Sequence, residues 1–170
     1  MKPKAASGTL VLNAQQLTQK VHRIAYEIYE NNFSEKSIVL AGIDGQGYVL
    51  AKLIMKQVES ISPIRVQLVC VSLDKLSPVQ STVTLDAAVS SIKKKTIILV
   101  DDVLNTGRTL AYALKPFLEV EIKKIEVAVL VNRSHTLFPI VPTYSGYQLA
   151  TTLTDHVEVK LGKEAAVYLR

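Results

Sequence analysis

The chain has 170 residues, a length that suits one domain (residues 1–170) with a substantial hydrophobic core. Its composition, 48% hydrophobic and 21% charged residues, is that of an ordinary globular protein. The net charge of +5 favours an anionic ligand or partner, but it does not choose between a small phosphorylated molecule and a nucleic acid. A single cysteine excludes an intramolecular disulfide and a cluster of thiolate metal ligands.

Neither a signal peptide nor a membrane span is predicted. The segment Met1 to Gly8 has two lysines but no apolar core of a signal peptide. No apolar run approaches the roughly 20 residues that a membrane-spanning helix needs. We therefore expect a soluble, cytoplasmic protein with no membrane partner. Cys70, in the apolar run Val66 to Val71, is expected at a buried position in a strand.

The amino-terminal part predicts a strand at Thr9 to Leu12 and then a helix. Asn13 is a suitable N-cap, and the helix extends to about Asn31. Apolar residues recur there at helical spacing and form one face, namely Leu17, Val21, Ile24, Ala25 and Ile28.

A second strand, Ser37 to Ile43, leads into a glycine-rich turn, Asp44-Gly45-Gln46-Gly47, and a helix over Tyr48 to Val58. Such a turn lets backbone N–H groups approach an anion. It is not a Walker A loop, because no Lys-Ser/Thr pair follows it. It also lacks the third glycine of a dinucleotide-binding fingerprint, since Leu50 occupies that place.

The next segments predict a strand over Ile64 to Leu73 and then a loop. From Asp74 to Lys95 the periodicity fades, and Leu85 to Ile92 is expected to form a short helix.

The most informative stretch is IILVDDVLNTGRT. Ile97 to Val100 is a short apolar run typical of a strand buried on both faces of a parallel sheet. Asp101 and Asp102 then place two carboxylates at the carboxyl end of that strand, where open α/β sheets bind ligands. Asn105 to Thr109 forms a polar turn into a helix that extends to Leu114, which predicts an anion pocket at the helix start.

This stretch resembles the phosphoribosyl-pyrophosphate (PRPP) motif of type I phosphoribosyltransferases at every position. The resemblance implies that Asp101 and Asp102 bind the ribose 2′- and 3′-hydroxyls. It implies that Thr106, Gly107, Arg108 and Thr109, in the loop that begins at Asn105, hold the 5′-phosphate. Two other interpretations are an ordinary strand with an acidic turn and a receiver domain. A receiver carries its acid pair on the first strand, whereas about a hundred residues precede this one.

The same resemblance assigns pyrophosphate to the turn Asp44, Gly45, Gln46 and Gly47. Relatives often have a basic residue in this loop, where this chain has Gln46. Pyrophosphate binding is therefore expected to use backbone N–H groups and Mg²⁺, or a cation from elsewhere, for which Lys75 is the candidate. The family's mobile catalytic hood is expected over Asp74 to Lys95, where closure would exclude water from a reactive ribosyl cation.

After a helix interrupted at Pro116, Lys124 to Val131 predicts another parallel strand, and Val157 to Leu169 predicts a closing hairpin. The alternation of strands and helices predicts an α/β fold with a doubly wound, mostly parallel sheet and a small hood. The end of the Lys124 strand should face the ligand crevice, which makes Asn132 and Arg133 candidates for binding a base.

Three further segments are similar to PyrR-type proteins, which have uracil phosphoribosyltransferase activity and in many cases bind leader RNA. They are Arg23 to Ile28, Val131 to Ile140 and Tyr144 to Gly146. The family commonly has Asp where this chain has Asn132. Basic residues that relatives offer to RNA are replaced by Thr136, Val141 and Tyr147, so RNA is a possible but disfavoured partner.

The expected reaction is the Mg²⁺-dependent transfer of ribose 5-phosphate from PRPP to a nucleobase. Asp101 and Asp102 would also contact the metal indirectly, through PRPP. Asn105 stands where purine-using relatives often have an Asp, and an amide cannot act as a general base. This favours uracil, which is acidic enough to need less help.

Three alternatives remain open at this point. They are a phosphoribosyltransferase for another base such as a purine, a nucleotide-sensing regulator that binds RNA with weak catalysis, and a nucleotide-binding structural module. A homodimer or a higher homo-oligomer is expected from the resemblance.

Overall fold

A computed structural model describes residues 8–79 and 82–170. The strands are β1 (Thr9–Leu12), β2 (Ser37–Ile43), β3 (Arg65–Ser72), β4 (Thr84–Leu85), β5 (Thr96–Leu104), β6 (Lys124–Asn132), β7 (Tyr144–Gln148), β8 (Val157–Lys160) and β9 (Ala166–Leu169). The helices are α1 (Ala14–Asn32), α2 (Gln46–Ile61), α3 (Val89–Ile92), α4 (Arg108–Ala113) and α5 (Lys115–Leu118). Met1 to Ser7, and Gln80 and Ser81 in the predicted loop from Asp74 to Lys95, lie outside the described residues.

A six-stranded sheet in the order β4-β3-β2-β5-β6-β7 forms the centre of the described chain. All neighbouring strands in it are parallel except β4, which pairs antiparallel with β3. Helices α1 and α2 pack on one face, and α4 and α5 pack on the other. Strands β2, β5 and β6 are therefore covered on both sides, which explains their nearly continuous apolar sequences. The predicted doubly wound α/β fold is confirmed.

The two ends of the chain form a second, smaller sheet in the order β1-β9-β8, with antiparallel pairs. Its strands β8 and β9 contribute Val157, Val159 and Val167 to the core on the α1 and α2 side. The predicted hairpin at Val157 to Leu169 is confirmed. β4, within the predicted hood segment Asp74 to Lys95, pairs with the edge strand β3 of the main sheet, whereas the separate small sheet comes from the two ends of the chain. Closure of the segment over a ligand stays a prediction.

Three local predictions need correction. β5 continues to Leu104, so Asp101 and Asp102 lie inside the strand, where Asp101 pairs with Val129 of β6. β7 was not predicted, because its sequence YSGYQ lacks an apolar run. Cys70 lies in β3 as expected but is only half-buried, because the face of β3 that carries it is incompletely covered.

The first helix begins as its sequence predicts. Asn13 Oδ1 accepts a hydrogen bond from Gln16 N at 2.9 Å, and Gln16 Oε1 accepts one from Asn13 N at 2.9 Å. This reciprocal pair satisfies two backbone donors that a helix start otherwise leaves unpaired. No helix in the described ranges has the length and hydropathy needed to cross a bilayer.

A buried polar cluster connects α1 to the amino-terminal ends of β6 and β7, at the opposite end of the strands from the expected site. The Tyr144 hydroxyl donates to a carboxylate oxygen of Glu126 and accepts from Asn32 Nδ2 at 3.2 Å. Lys124 Nζ lies 2.6 Å from the other Glu126 oxygen. Burial and the bond to Glu126 raise the pKa of Tyr144, so the hydroxyl stays a donor at neutral pH.

We expect Tyr144→Phe to lower the free energy of unfolding by about 1–3 kcal/mol, because Glu126 loses a donor in a site that water does not reach. Urea denaturation measures this change. Tyr147→Phe is the matched control, since its ring on the same strand lies against Lys20 instead of a buried carboxylate. Equal losses in the two variants would contradict the importance of this cluster.

Candidate active site

A cavity of about 510 Å³ lies at the carboxyl edge of the main sheet. Its walls come from the end of β5, the loop after β5, the start of α4, strand β8 and the segment after β3. The lining residues are Lys75, Leu76, Asp101, Asp102, Val103, Leu104, Asn105, Thr106, Gly107, Arg108, Thr109, Leu110, His156, Val157, Glu158 and Val159. The cavity therefore gathers the acid pair, the expected 5′-phosphate loop and Lys75.

The acid pair has one deeply buried member. The Asp101 side chain is 4% exposed, and its Oδ1 lies 3.0 Å from Lys75 Nζ. Asp102 is more exposed, and its Oδ1 lies 3.9 Å from the same nitrogen. Burial raises the pKa of Asp101 to about 7, Lys75 opposes the rise, and Asp102 adds to it. Lys75 thus partly neutralises the pair.

The loop after β5 is held in a fixed shape. Gly107 has φ of 84°, in the left-handed region that favours glycine, and a Cβ there would lie 3.3 Å from Ile140. Arg108 N donates to Thr106 Oγ1 at 3.3 Å. The Thr106 carbonyl accepts from the backbone N–H of Phe138 at 3.0 Å. A pocket of backbone N–H groups and hydroxyls results at the start of α4.

The glycine-rich turn touches the acid pair from behind. A Cβ on Gly47 would lie 2.8 Å from Asp101 Oδ1, so only glycine lets the start of α2 pack this closely on β5. Gly45 has φ of 95°, and its N–H donates to Asp44 Oδ1 at 2.9 Å. Gln46 Oε1 accepts from Leu161 N at 3.2 Å, which links the turn to the end of β8. None of the four residues of this turn is among the residues that line the cavity.

The structure places both candidate base-binding residues outside the cavity lining. Asn132 Oδ1 accepts from Ser134 N at 3.0 Å and so shapes the turn after β6. Arg133 is 9% exposed, and its donors are used by Asn105 and by the loop that precedes β8. Both side chains make internal hydrogen bonds, and their contact with a base stays a prediction.

The sequence did not identify the cavity residues of β8. The alternation of Val157 and Val159 with Glu158 predicts a strand with one apolar face, but it does not say where the strand docks. In the structure the valines enter the core, whereas Glu158 forms an ion pair with Arg170 at 2.6 Å. His156 pairs its backbone with that of Arg170, which extends the hairpin.

Within the described ranges, no group of three or more acidic, histidine or cysteine residues could hold a metal ion by itself. Asp101 and Asp102 nevertheless supply carboxylate oxygens beside an open cavity. Mg²⁺ prefers oxygen ligands and commonly takes few carboxylates together with substrate phosphates. The site therefore fits a Mg²⁺ ion that arrives with a phosphorylated substrate.

The family model of the phosphoribosyl transferase domain matches residues 7–162. The chain therefore belongs to the type I phosphoribosyltransferase family, and it is an enzyme of the glycosyltransferase class. The resemblance drawn from residues 97–109 is confirmed. Enzymes of this family bind PRPP and a base, and they generally use Mg²⁺.

Two curated relatives are proteins named bifunctional protein PyrR. The chain is 34% identical to that of Bacillus pumilus over 163 residues, which cover 91% of each chain. It is 30% identical to that of Haemophilus ducreyi over 161 residues, 89% of this chain and 88% of the relative. The predicted likeness to PyrR-type proteins is confirmed.

Solved structures support the fold. A hypoxanthine phosphoribosyl transferase of Trypanosoma cruzi has a TM-score of 0.76 at 14% identity and covers 98% of this chain and 94% of its own. A hypoxanthine-guanine phosphoribosyltransferase of Bacillus anthracis has a TM-score of 0.68 at 20% identity, over 84% of both chains. At such low identities these structures support the fold alone.

The raised pKa of Asp101 predicts a specific pH dependence of stability without Mg²⁺ or PRPP. The folded protein holds the Asp101 proton up to about pH 7, whereas the ordinary pKa of this group is 3.8. The Asp101 titration should therefore contribute a loss of stability as pH rises between these values, since the folded state must release a proton that it binds more tightly.

Asp101→Asn removes this titration, so its free energy of unfolding should fall less than that of the wild type between about pH 4 and about pH 7. The difference should be at least about 1 kcal/mol, because one unit of pKa shift corresponds to about 1.4 kcal/mol. Urea denaturation at the two pH values measures it. Parallel pH curves for the two proteins would contradict the raised pKa.

Proposed function

We propose that this phosphoribosyltransferase transfers ribose 5-phosphate from PRPP to uracil with the help of Mg²⁺, giving a nucleoside monophosphate and pyrophosphate. The observation that carries the proposal is the single cavity in which Asp101, Asp102, Lys75 and the loop Thr106 to Thr109 meet. That arrangement offers acceptors for ribose hydroxyls, donors for a phosphate and a cation for pyrophosphate.

In the proposed complex, the 5′-phosphate binds the backbone N–H groups and hydroxyls of Thr106 to Thr109. The ribose 2′- and 3′-hydroxyls donate to Asp101 and Asp102, whose ionised oxygens are acceptors only. Pyrophosphate extends toward Lys75 and the turn Asp44 to Gly47. Two contacts support this orientation, namely the ion pair of Lys75 with Asp101 and the close approach of Gly47 to the same carboxylate.

The residues would act mainly by position and charge. As the bond from C1′ to the pyrophosphate oxygen breaks, positive charge develops on the ribose, and the carboxylates of Asp101 and Asp102 stabilise it. Mg²⁺, when bound with PRPP, would neutralise charge on the departing pyrophosphate. Strand β8 and His156, which precedes it, line the cavity and would limit the access of water.

Asn105 supports the choice of uracil. Its Oδ1 accepts from Arg133 Nη1 at 2.8 Å, so the amide nitrogen is left to donate. An amide cannot remove a proton from the base, which favours a base with an acidic N–H group and a neighbouring carbonyl acceptor. The relatedness to PyrR proteins supports the same choice.

RNA binding is the second candidate function, because the named relatives are described as bifunctional. Three positions argue for weak RNA affinity in this chain, since Thr136, Val141 and Tyr147 offer no charge for phosphates. Val141 is 82% exposed, so this loss affects an accessible surface. A homodimer or higher homo-oligomer remains our expectation.

Pyrophosphate release from PRPP and Mg²⁺ tests the proposal, with uracil, hypoxanthine, guanine, adenine, xanthine and orotate supplied separately. We expect release with uracil and only background rates with the other five. Controls omit the base or the metal. Pyrophosphate release with a purine alone would contradict the uracil assignment. No release with any of the six bases, despite binding of PRPP, would indicate a nucleotide-sensing regulator instead of an enzyme.

Lys75→Met should raise the KM for PRPP about tenfold to a hundredfold, because a charged hydrogen bond to pyrophosphate contributes about 1.5–3 kcal/mol. Steady-state kinetics at varied PRPP measures the effect. Lys56→Met, on the exposed face of α2, is the control with the same loss of charge. An unchanged KM in Lys75→Met would remove Lys75 from the proposed pyrophosphate site.

A further inference from the structure

Arg133 is a buried cation whose hydrogen bonds go to neutral acceptors. Its guanidinium donates to Asn105 Oδ1 at 2.8 Å and to the backbone oxygens of Thr152 and Asp155 at 3.0 and 2.7 Å. Its Nε donates to Thr151 Oγ1 at 3.0 Å. Across residues 8–79 and 82–170, no carboxylate forms an ion pair with it.

The nearby carboxylate of Asp155 is engaged elsewhere. Asp155 Oδ2 accepts from Thr152 N at 2.7 Å, and this contact is the main reason that the pKa of Asp155 is lowered, with a smaller contribution from Arg133. His135, which also faces this loop, bonds the Thr151 carbonyl at 2.8 Å. The positive charge of Arg133 therefore remains without a direct counterion in a poorly solvated place.

The contact between Arg133 and Asn105 fixes the orientation of the amide. A guanidinium has only donors, so the atom that faces it must be the amide oxygen, and both Nδ2 hydrogens are left for other partners. Asn105 lines the cavity, whereas Arg133 stands behind it. A charged donor on the oxygen also polarises the amide and strengthens the donors on its nitrogen.

We propose that Arg133 is a positioning residue that makes the bound base more acidic through Asn105, in place of a general base. This inference rests on the proposed transfer to uracil. Asn105 Nδ2 donates to the base carbonyl next to the reacting nitrogen. Arg133 increases the strength of that bond as negative charge moves onto the carbonyl oxygen.

The chemical step balances without a basic side chain. The C1′–O bond of PRPP breaks, and its electron pair leaves with pyrophosphate. The base nitrogen forms the C1′–N bond and releases its proton to a pyrophosphate oxygen or to water. The interaction is strongest in the transition state, where the charge on the carbonyl oxygen is greatest, so it should raise kcat more than it lowers KM.

The same arrangement accounts for selection of the base. In uracil the reacting nitrogen is bonded directly to a carbonyl carbon, so its developing charge reaches an oxygen within contact of one amide donor. In a purine the reacting imidazole nitrogen has no adjacent carbonyl. Asn105, supported by Arg133, therefore favours a pyrimidine-2,4-dione over a purine.

Arg133 also anchors the loop that leads into β8, so a purely structural role must be separated from an electrostatic one. The test compares kcat for uracil with kcat for 5-fluorouracil, whose N–H group is more acidic and needs less help. The variants are Arg133→Met, which removes the charge, and Arg133→Lys, which keeps it. Thr151→Val is the matched control, because it removes the loop hydroxyl that contacts Arg133 Nε and His135 Nε2 and leaves the charge of Arg133 in place.

We expect Arg133→Met to lower kcat on uracil on the order of tenfold, less than the roughly hundredfold loss that follows removal of a transition-state donor, because Asn105 remains in place. Its loss on 5-fluorouracil should be several-fold smaller. Arg133→Lys should keep the wild-type ratio between the two bases, and Thr151→Val should raise KM without changing that ratio. Thermal unfolding of each variant checks that it is folded.

Equal losses on the two bases in Arg133→Met, or the same change of ratio in Thr151→Val, would overturn the inference and leave the uracil activity intact. The inference would also be overturned if Arg133→Lys changed the ratio of kcat on uracil to kcat on 5-fluorouracil as much as Arg133→Met does. Wild-type inactivity with both bases would instead overturn the proposed function and this inference with it.

Discussion

Asp101 holds a carboxylate inside the central strand, 4% exposed, with the backbone of Gly47 packed directly behind it. Burying such a group is costly unless it is paired or protonated. The chain offsets the cost with Lys75 and with the Asp102 N–H, which donates to Asp101 Oδ1 at 3.0 Å. The rest of the site follows from this placement. Helices must cover both faces of β5 to keep Asp101 buried. Residue 47 must be glycine, because a side chain would clash with Asp101 at the start of α2.

The cavity is assembled from segments that are distant in sequence, and two contacts hold them together. Gln46 connects the glycine-rich turn to the residue after β8, and Arg133 connects Asn105 to the loop before β8. Hydrogen bonds thus hold the residues on both sides of β8, from Gln46 at one end and from Arg133 at the other. The small sheet is therefore linked by side-chain hydrogen bonds to two segments beside the acid pair.

The sequence predicted what depends on local pattern. Ile97 to Thr109 contains a buried strand, an acid pair and a loop that lines the cavity in one continuous stretch, so both the fold class and this part of the cavity could be predicted from it. What depends on tertiary contact was not predictable. The position of β8, and the hydrogen bonds of the Arg133 side chain to Asn105 and to the loop before β8, form only when the ends of the chain meet the main sheet. β7 is stabilised by pairing with β6 rather than by the strand propensity of its own residues.

Direct binding of PRPP is the measurement that tests the central claim. Isothermal titration calorimetry with Mg²⁺ would compare the wild type with Asp101→Asn/Asp102→Asn, and with Glu30→Gln/Glu164→Gln as a control of equal charge change on exposed positions. We predict at least a tenfold loss of affinity in the aspartate variant, since each lost charged hydrogen bond contributes about 1.5–3 kcal/mol, and wild-type affinity in the control. Unchanged affinity in the aspartate variant would contradict the assignment of this acid pair to PRPP.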